Sequence, residues 1–376
     1  MRTRSATRLY IHVPFCRAKC AYCAFYSEVA PAPAQVSGYL EALERELSAQ
    51  SVLAADLESV FVGGGTPSML GPAGLARLMG AVRASFRIKA DAEVTVEANP
   101  DRVDAALAEA LAAAGVNRVS LGLQSFQPEL LRTLGRCVDA GAAASAAAAL
   151  RAVGIARLSA DLIFQIPGQS LSAWVPDLRE ALGLGLGHLS TYALTLEEGT
   201  ALSARLGAAG VDDSLFEAMW SAAEAEACRH GLRRYEISNF AAAGEECRHN
   251  LGIWLGDAYL GCGPAASSFD GGRRWTNVAD LAAWMAGREP EPDELPARSR
   301  AAEMLAFGLR TVEGWDLSRF RALTGLQPED LCGEAIGELV AAGLLEVVGG
   351  RLRTTPAGLL VHDAIAERLI ILPGES

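Results

Sequence analysis

The chain has 376 residues, 51% of them apolar, which is enough for one large packed domain with a smaller one and excludes wholesale disorder. Its formal charge is −12 and it holds only two lysines, Lys19 and Lys89, which excludes a nucleic-acid partner held on a general basic surface. No apolar leader precedes Tyr10 and no run reaches the roughly 18 apolar residues of a membrane span, so a cytoplasmic chain with reduced thiols is expected.

Taken in chain order, short β-rich runs alternate with amphipathic or Ala/Leu-rich stretches. The strand Leu9–Val13 leads into "PFCRAKCAYC", and the helix "YLEALERELSAQ" follows. Strand Ser59–Val62 ends in "GGGTP" (Gly63–Pro67), and then come the helix "LARLMGAVRASF" and the strand Glu93–Glu97. The pattern continues through "DAALAEALAAAG", Arg118–Leu123, "AAASAAAALRAVG", Ser159–Phe164, "WVPDLREALGLG" and His188–Ala193. Six strands alternating with helices predict an α/β fold with a parallel sheet, bent into a partial (β/α)6 TIM-like barrel.

Residues 1–285 are assigned to this barrel and an extension carrying "HNLGIW" (His249–Trp254), and 286–300 to a linker rich in proline and charge, "GREPEPDELPARSR". Residues 301–376 read as a small winged-helix-like domain: two helices, a hairpin turning at Gly349–Gly350, and a last helix. With six arginines, no lysine and eleven acidic residues, this wing is expected to be a lid or docking element and not a DNA reader.

Three of the chain's eight cysteines, Cys16, Cys20 and Cys23, fall within eight residues. In a reducing compartment such a cluster points to metal, and closed structural zinc wants four ligands where only three are near. Three thiolates on a four-iron cluster leave one iron open, the arrangement that a cofactor-binding centre needs. The competing readings are buried structural cysteines or zinc. In parallel barrels, functional groups collect at the carboxyl ends of strands. There the Cys loop follows the first strand, "GGGTP" the second, Glu97 ends the third, Gln124 lies just past the fourth, and Asp161 and Tyr192 lie within the fifth and sixth.

The C-x3-C-x2-C spacing with Tyr22 before the last cysteine resembles the signature of the radical S-adenosylmethionine (SAM) superfamily. "LYIHVPFC", "VFVGGGTPSML", "VEANPD", "RVSLGLQSF", "DLIFQIPGQ" and "RYEISNFA" are similar to the oxygen-independent coproporphyrinogen III oxidase group, and the C-terminal module fits that group too. The resemblance implies a [4Fe-4S] cluster on Cys16, Cys20 and Cys23. It implies SAM at Tyr10, Tyr22, Gly64, Gly65, Thr66, Glu97, Gln124, Arg136 and Asp161.

Oxidases of the group resemble C-x3-C-x2-C-x-C, but here Phe25 stands at the fourth cysteine's place, as in the group's haem-chaperone branch. That branch also carries H-N-x-x-Y-W, matched by "HNLGIW" with Ile253 in place of Tyr. The resemblance implies haem on His249, with Trp254 against the porphyrin; the alternative is a structural histidine near the barrel mouth. Cys247 is a further candidate ligand, and Val138 and Ser267 depart from histidines common in relatives. The expectation is a haem chaperone, monomer or dimer and at most peripherally membrane-bound, that binds cluster, SAM and haem and serves haem-accepting proteins, respiratory ones included. An active radical SAM enzyme on a porphyrin and a non-catalytic iron–sulfur or zinc scaffold are the alternatives.

Overall fold

The structure, a computed structural model, describes residues 3–136, 141–207 and 213–371. Val138 lies outside them. The first half of the chain runs β1 (Ala6–Val13), α1 (Pro33–Gln50), β2 (Ala54–Gly64), α2 (Gly71–Ser85), β3 (Ile88–Ala98), α3 (Ala105–Ala113) and β4 (Arg118–Gln124). It continues with α4 (Ala142–Ala152), β5 (Arg157–Phe164), α5 (Leu171–Gly183) and β6 (His188–Ala193). The six strands pair in parallel and in sequence order, the partial barrel that the alternation predicts. β2 and β3 begin five residues earlier than their apolar runs, at Ala54 and Ile88, where Ala54 pairs with Ala6 of β1 and the buried Leu57 with Ile88.

Two-residue alternation decides what these strands bury. Leu9, Ile11, Val13, Val60, Val62, Val94, Val96, Val119 and Leu121 are buried in the main core with the helices. The intervening residues are Arg8, Tyr10 and His12, then Ser59, then Glu93, Thr95 and Glu97, then Arg118 and Ser120, and they are mostly polar. Helices cover one face only, so the opposite face lines a polar interior, as alternation in a barrel requires.

After β6 the chain adds α6 (Phe216–Arg229) and β7 (Asn239–Ala241), which pairs antiparallel to β6. It then returns to the other edge through α7 (Arg248–Trp254) and β8 (Tyr259–Cys262), which pairs in parallel with β1. A meander of β9 (Ser267–Phe269), β10 (Arg274–Thr276) and β11 (Glu291–Asp293) extends that edge. On its way α7 closes the barrel floor. The fully buried Glu93 accepts from the amides of Arg248 (3.2 Å) and His249 (3.0 Å) at the first turn of α7, and from Arg157 at 3.2 Å. A carboxylate at the helix start answers both the orphan donors and the helix dipole. Arg8 reaches the same helix, donating to the Arg248 carbonyl (2.7 Å) and to Asp257 (2.6 Å).

The remaining chain, α8 (Ala297–Gly308), β12 (Trp315–Asp316), α9 (Leu317–Thr324), α10 (Pro328–Ala341), β13 (Leu345–Val348), β14 (Arg351–Thr354) and α11 (His362–Ile370), builds a second core around Trp315, Phe320, Leu305 and Leu352. The hairpin turns at Gly349 and Gly350, both at positive φ as a two-residue turn of this kind needs. Phe269, and the partly buried Leu255 and Tyr259, join this core and weld it to the β8–β9 edge.

Gly252 faces the Arg8 guanidinium so closely that a Cβ there would overlap it. Gly252→Ala is therefore expected to displace Arg8 and destabilise the fold by about 1–3 kcal/mol, the usual range for overpacking. Denaturant midpoints of the two proteins check this, and an unchanged midpoint would contradict the described floor.

Candidate functional site

The cysteine loop is tethered at both ends. Phe15–Cys16 pairs in parallel with Glu28–Val29, and the Ala30 amide donates to the Cys16 carbonyl at 2.9 Å. In between, Ala21 donates to the Leu134 carbonyl (2.9 Å) and accepts from the Leu202 amide (2.7 Å). Tyr26 hydrogen-bonds Glu28 (2.6 Å), and its carbonyl meets His12 Nε2 at 2.9 Å. All three cysteines are unpaired and half-buried.

The loop sits on the C-terminal end of β2 because the glycine triplet lets it. Gly65 donates to the Val13 carbonyl and Thr66 to that of Phe15, both at 2.8 Å. A Cβ on Gly65 would stand 2.8 Å from the Phe15 oxygen. Gly64 has φ +107° and would set a Cβ 2.6 Å from the His12 ring, so no other residue fits either position without strain. The Gly64 amide donates to Glu97 Oε2 at 3.2 Å.

From Cys16 a polar chain runs along the rim. Its sulfur lies 3.8 Å from Thr66 Oγ1, Asn99 Nδ2 lies 3.5 Å from the same oxygen, and Arg136 Nη2 donates to Asn99 Oδ1 at 2.7 Å. Arg136 also hydrogen-bonds Tyr22. Burial pushes the Cys20 and Cys23 thiols up; Arg136 pulls both down, and the neighbouring cysteines push them up. Deeper in, Ser120 donates to both oxygens of Asp161 (3.1 and 3.0 Å), and Tyr10 meets His12 Nδ1 at 3.0 Å. Gln124 ends β4 at φ +67° beside a register shift, a left-handed non-glycine conformation that costs on the order of 1–3 kcal/mol. Burial, and then the charge of Asp161, push the Glu97 carboxyl up to about 8.

Thus the cysteines, Tyr22, Gly64, Gly65, Thr66, Glu97, Gln124 and Arg136 lie at the C-terminal rim, and Tyr10 and Asp161 line the interior below it. Tyr192 faces the same interior and still exposes 42% of its surface, which requires an open cavity. Asn99, His12 and Ser120 belong to this constellation, and the motif reading did not single them out. Their signal was the alternation in "RLYIHV", "EVTVEAN" and "RVSLGLQ", which assigns them to the polar face.

His249 is elsewhere. It is not near the mouth but on the floor, 2% exposed, with Nδ1 3.0 Å from Ser59 Oγ and its ring 5.2 Å from that of Phe61. Ser59 precedes Gly64 by five residues, about 16 Å of strand. Burial, then the Arg8 charge, push the imidazole down to about 3, so it is neutral. No face of it is open to a porphyrin. Cys247 beside it is fully buried, its thiol turned to Glu93 at 3.6 Å, and burial holds it protonated. Ser267 is engaged with Thr276 Oγ1 at 2.7 Å on the β9–β10 ribbon.

The rim suits the expected groups. One zinc ion would draw its sulfurs to about 2.3 Å from a single point, and among the described residues no three His, Cys, Asp or Glu side chains gather around such a point. A cubane takes each thiolate on a different iron and does not need the three sulfurs to meet at one point. Glu97, its proton affinity raised by burial and then by Asp161, Asp161 itself raised by burial, and the cationic Arg136 suit a ligand carrying a positive centre and a carboxylate.

Because the fold favours the protonated form of Glu97, that contribution to stability is complete below the ordinary carboxylate range and is lost as pH rises through about 8. Melting temperatures of ligand-free wild type and Glu97→Gln across pH 5 to about 9 should therefore diverge in favour of the variant as pH rises. A constant difference would refute the assigned environment.

Residues 10–181 match the radical SAM superfamily and residues 295–361 the HemN C-terminal domain. The haem chaperone HemW of Mycobacterium tuberculosis is 37% identical over 96% of this chain and 94% of its own length. That of Escherichia coli K12 is 34% identical over 96% and 97%. Mouse radical S-adenosyl methionine domain-containing protein 1, mitochondrial, is 34% identical over 99% and 88%. Among solved structures, coproporphyrinogen III oxidase (HemN) from Escherichia coli, a radical SAM enzyme, superposes with a TM-score of 0.84 at 23% identity, over 98% of this chain and 91% of that one, a likeness of fold. Among the described residues no helix is long and apolar enough to cross a membrane. With a third or more of its residues shared over nearly the whole length of curated relatives, the chain belongs to the HemW family of radical SAM proteins.

Proposed function

We propose that this protein is a cytoplasmic haem chaperone that holds a [4Fe-4S] cluster and SAM at the barrel rim and passes haem to haem proteins, respiratory ones among them. The observation that carries the reading is the identity with HemW relatives across 96% of the chain. Phe25 supports it: where the oxidases bring a fourth cysteine, this side chain is 68% exposed and offers no ligand.

Cys16, Cys20 and Cys23 would hold the cluster, which supplies a redox centre with one open iron when bound. The chain's own residues do the rest. Arg136, anchored by Asn99, would take the SAM carboxylate, and Asp161, oriented by Ser120, would accept from ribose hydroxyls. Gly64 and Gly65 would present backbone groups to the amino end, and Glu97 would offset its charge once deprotonated. Tyr10, Tyr22, Thr66 and Gln124 would complete the wall. The open interior beside Tyr192 favours a second reading, an active radical SAM enzyme whose substrate enters the barrel.

Anaerobic reconstitution with iron and sulfide tests the reading. Wild type should retain both and bind SAM, and should develop a Soret band with haemin. Each single Cys→Ala change at 16, 20 or 23 should weaken cluster retention by more than the roughly 10- to 100-fold that losing an outer-shell partner costs. Haemin bound and handed to an apo-haem protein supports the chaperone; no haemin binding with SAM turnover supports the enzyme instead.

A further inference from the structure

One cavity outside the barrel has the makings of a ligand site. It measures about 320 Å³ and lies where the end of α7 and the β8–β10 ribbon meet α8, within the lower range of small-molecule pockets. One wall is apolar: Ile253 and Trp254 from "HNLGIW", Met304 and Phe307 from α8, with Phe307 45% exposed at the opening. The other wall carries Arg274, Arg300 and Arg310.

These arginines are not equivalent. Arg274 is satisfied, donating to Asp293 at 2.5 Å and to both oxygens of Glu303 at 2.7 and 3.0 Å. Arg300 is only 3% exposed; its Nη2 donates to the Asp293 carbonyl at 2.8 Å and stands 3.5 Å from that residue's carboxylate, but its Nε and Nη1 are buried without a partner. Arg310 donates through Nη2 to Glu236 at 3.2 Å and stands 5.4 Å from the Trp254 ring, while its Nε has no partner. Guanidinium N–H groups buried without acceptors are rare, because their desolvation is uncompensated. A carboxylate meets a guanidinium fork with two parallel hydrogen bonds. The apolar wall asks for something different from the same ligand, a flat hydrophobic body to lie against Trp254 and Phe307.

We propose that this cleft seats the carboxylate edge of a tetrapyrrole, with Arg300 and Arg310 taking the propionates and Trp254 and Phe307 covering the macrocycle. The inference rests on the haem-chaperone reading and deepens it by locating the ligand outside the barrel. It uses the tryptophan of "HNLGIW" and leaves His249 as the floor residue that the structure describes. Since the carboxylates and the ring face provide recognition, iron is not required, and an iron-free porphyrin dicarboxylate binds as well.

The full-length protein is titrated with haemin, iron-free protoporphyrin and protoporphyrin dimethyl ester, following absorbance and porphyrin fluorescence. The expected result is that wild type binds haemin and the free diacid, and binds the ester roughly 10- to 100-fold more weakly, the loss for charge-assisted pairs. Arg300→Gln should weaken the diacid to a similar extent. Phe307→Ser, at an exposed position that does not endanger folding, should weaken both diacid and ester. The ester comparison uses wild type alone, so a misfolded variant cannot imitate it. If haemin binds but the ester matches the diacid and both variants bind as wild type, the cleft is overturned while the chaperone reading stands. Loss of haemin binding in His249→Gln alone would also overturn the cleft. If folded wild type binds neither haemin nor porphyrin, the chaperone reading and the cleft fall together.

Discussion

Two backbone hydrogen bonds fix the geometry on which the rest of the site depends. Gly65 to Val13 and Thr66 to Phe15, each 2.8 Å, extend the β1–β2 pairing beyond the strands themselves. They determine where the cysteine loop begins, and bring the Cys16 sulfur to Thr66, whose hydroxyl starts the chain to Asn99 and Arg136. The approach needs bare backbone: a Cβ at Gly65 would press on a carbonyl oxygen, which cannot swing away as a side chain can. The loop adds apolar anchors of its own, Ala21 and Tyr22 against the cluster of Leu134 and Leu202, and Tyr26 against the main core. The strand ends and these anchors together orient it.

The opposite end of the barrel is governed by burial of charge. Glu93 has no exposed surface and is met by two helix amides, an arginine and a thiol. A buried carboxylate so thoroughly hydrogen-bonded is tolerable, whereas removing one partner would leave an uncompensated charge. At the floor Glu93 gathers donors from α7, Arg157 and Cys247, whereas nearer the mouth Asp161 takes both its oxygens to Ser120 and Glu97 has the Gly64 amide. A stack of rings, His249 on Phe61 at 5.2 Å and Phe61 beside Tyr10 at 6.2 Å, separates the two regimes.

Much of this was legible in the sequence, for identifiable reasons. The six strands were recognisable because each carries β-branched or leucine residues on its outer face, where the helices pack. The cysteine spacing was legible because a short loop leaves few ways to arrange three sulfurs. What a linear reading missed was direction along the barrel. "HNLGIW" looked like a pocket motif, but nothing in those six residues says at which end of the strands they fall, since that depends on the return of the chain from β7 to β8. Nor could the sequence show that Gly252 exists to admit Arg8, two residues 244 positions apart. The polar interior was written in the alternation of "RLYIHV" and "EVTVEA", which a search for apolar runs passes over.

The strand that completes the β1 edge also joins the two regions that a haem-handling protein must coordinate. β8 begins at Tyr259, which lines the cleft, and ends at Cys262, paired with Ile11 of β1. The next residue, Gly263, packs against the His12 backbone, leaving no room for a Cβ, while its amide donates to Glu46 at 2.7 Å. His12 in turn holds Tyr26 of the cysteine loop at 2.9 Å and Tyr10 of the interior at 3.0 Å. Four residues of extended chain, about 13 Å, therefore connect the arginine-lined cleft with the base of the cysteine loop, by way of the His12 backbone and ring. Strands are stiff along their length, and the pairing of β8 with β1 is uninterrupted from Tyr259 to Cys262. Rim and cleft are thus built on one strand pair, β1 and β8.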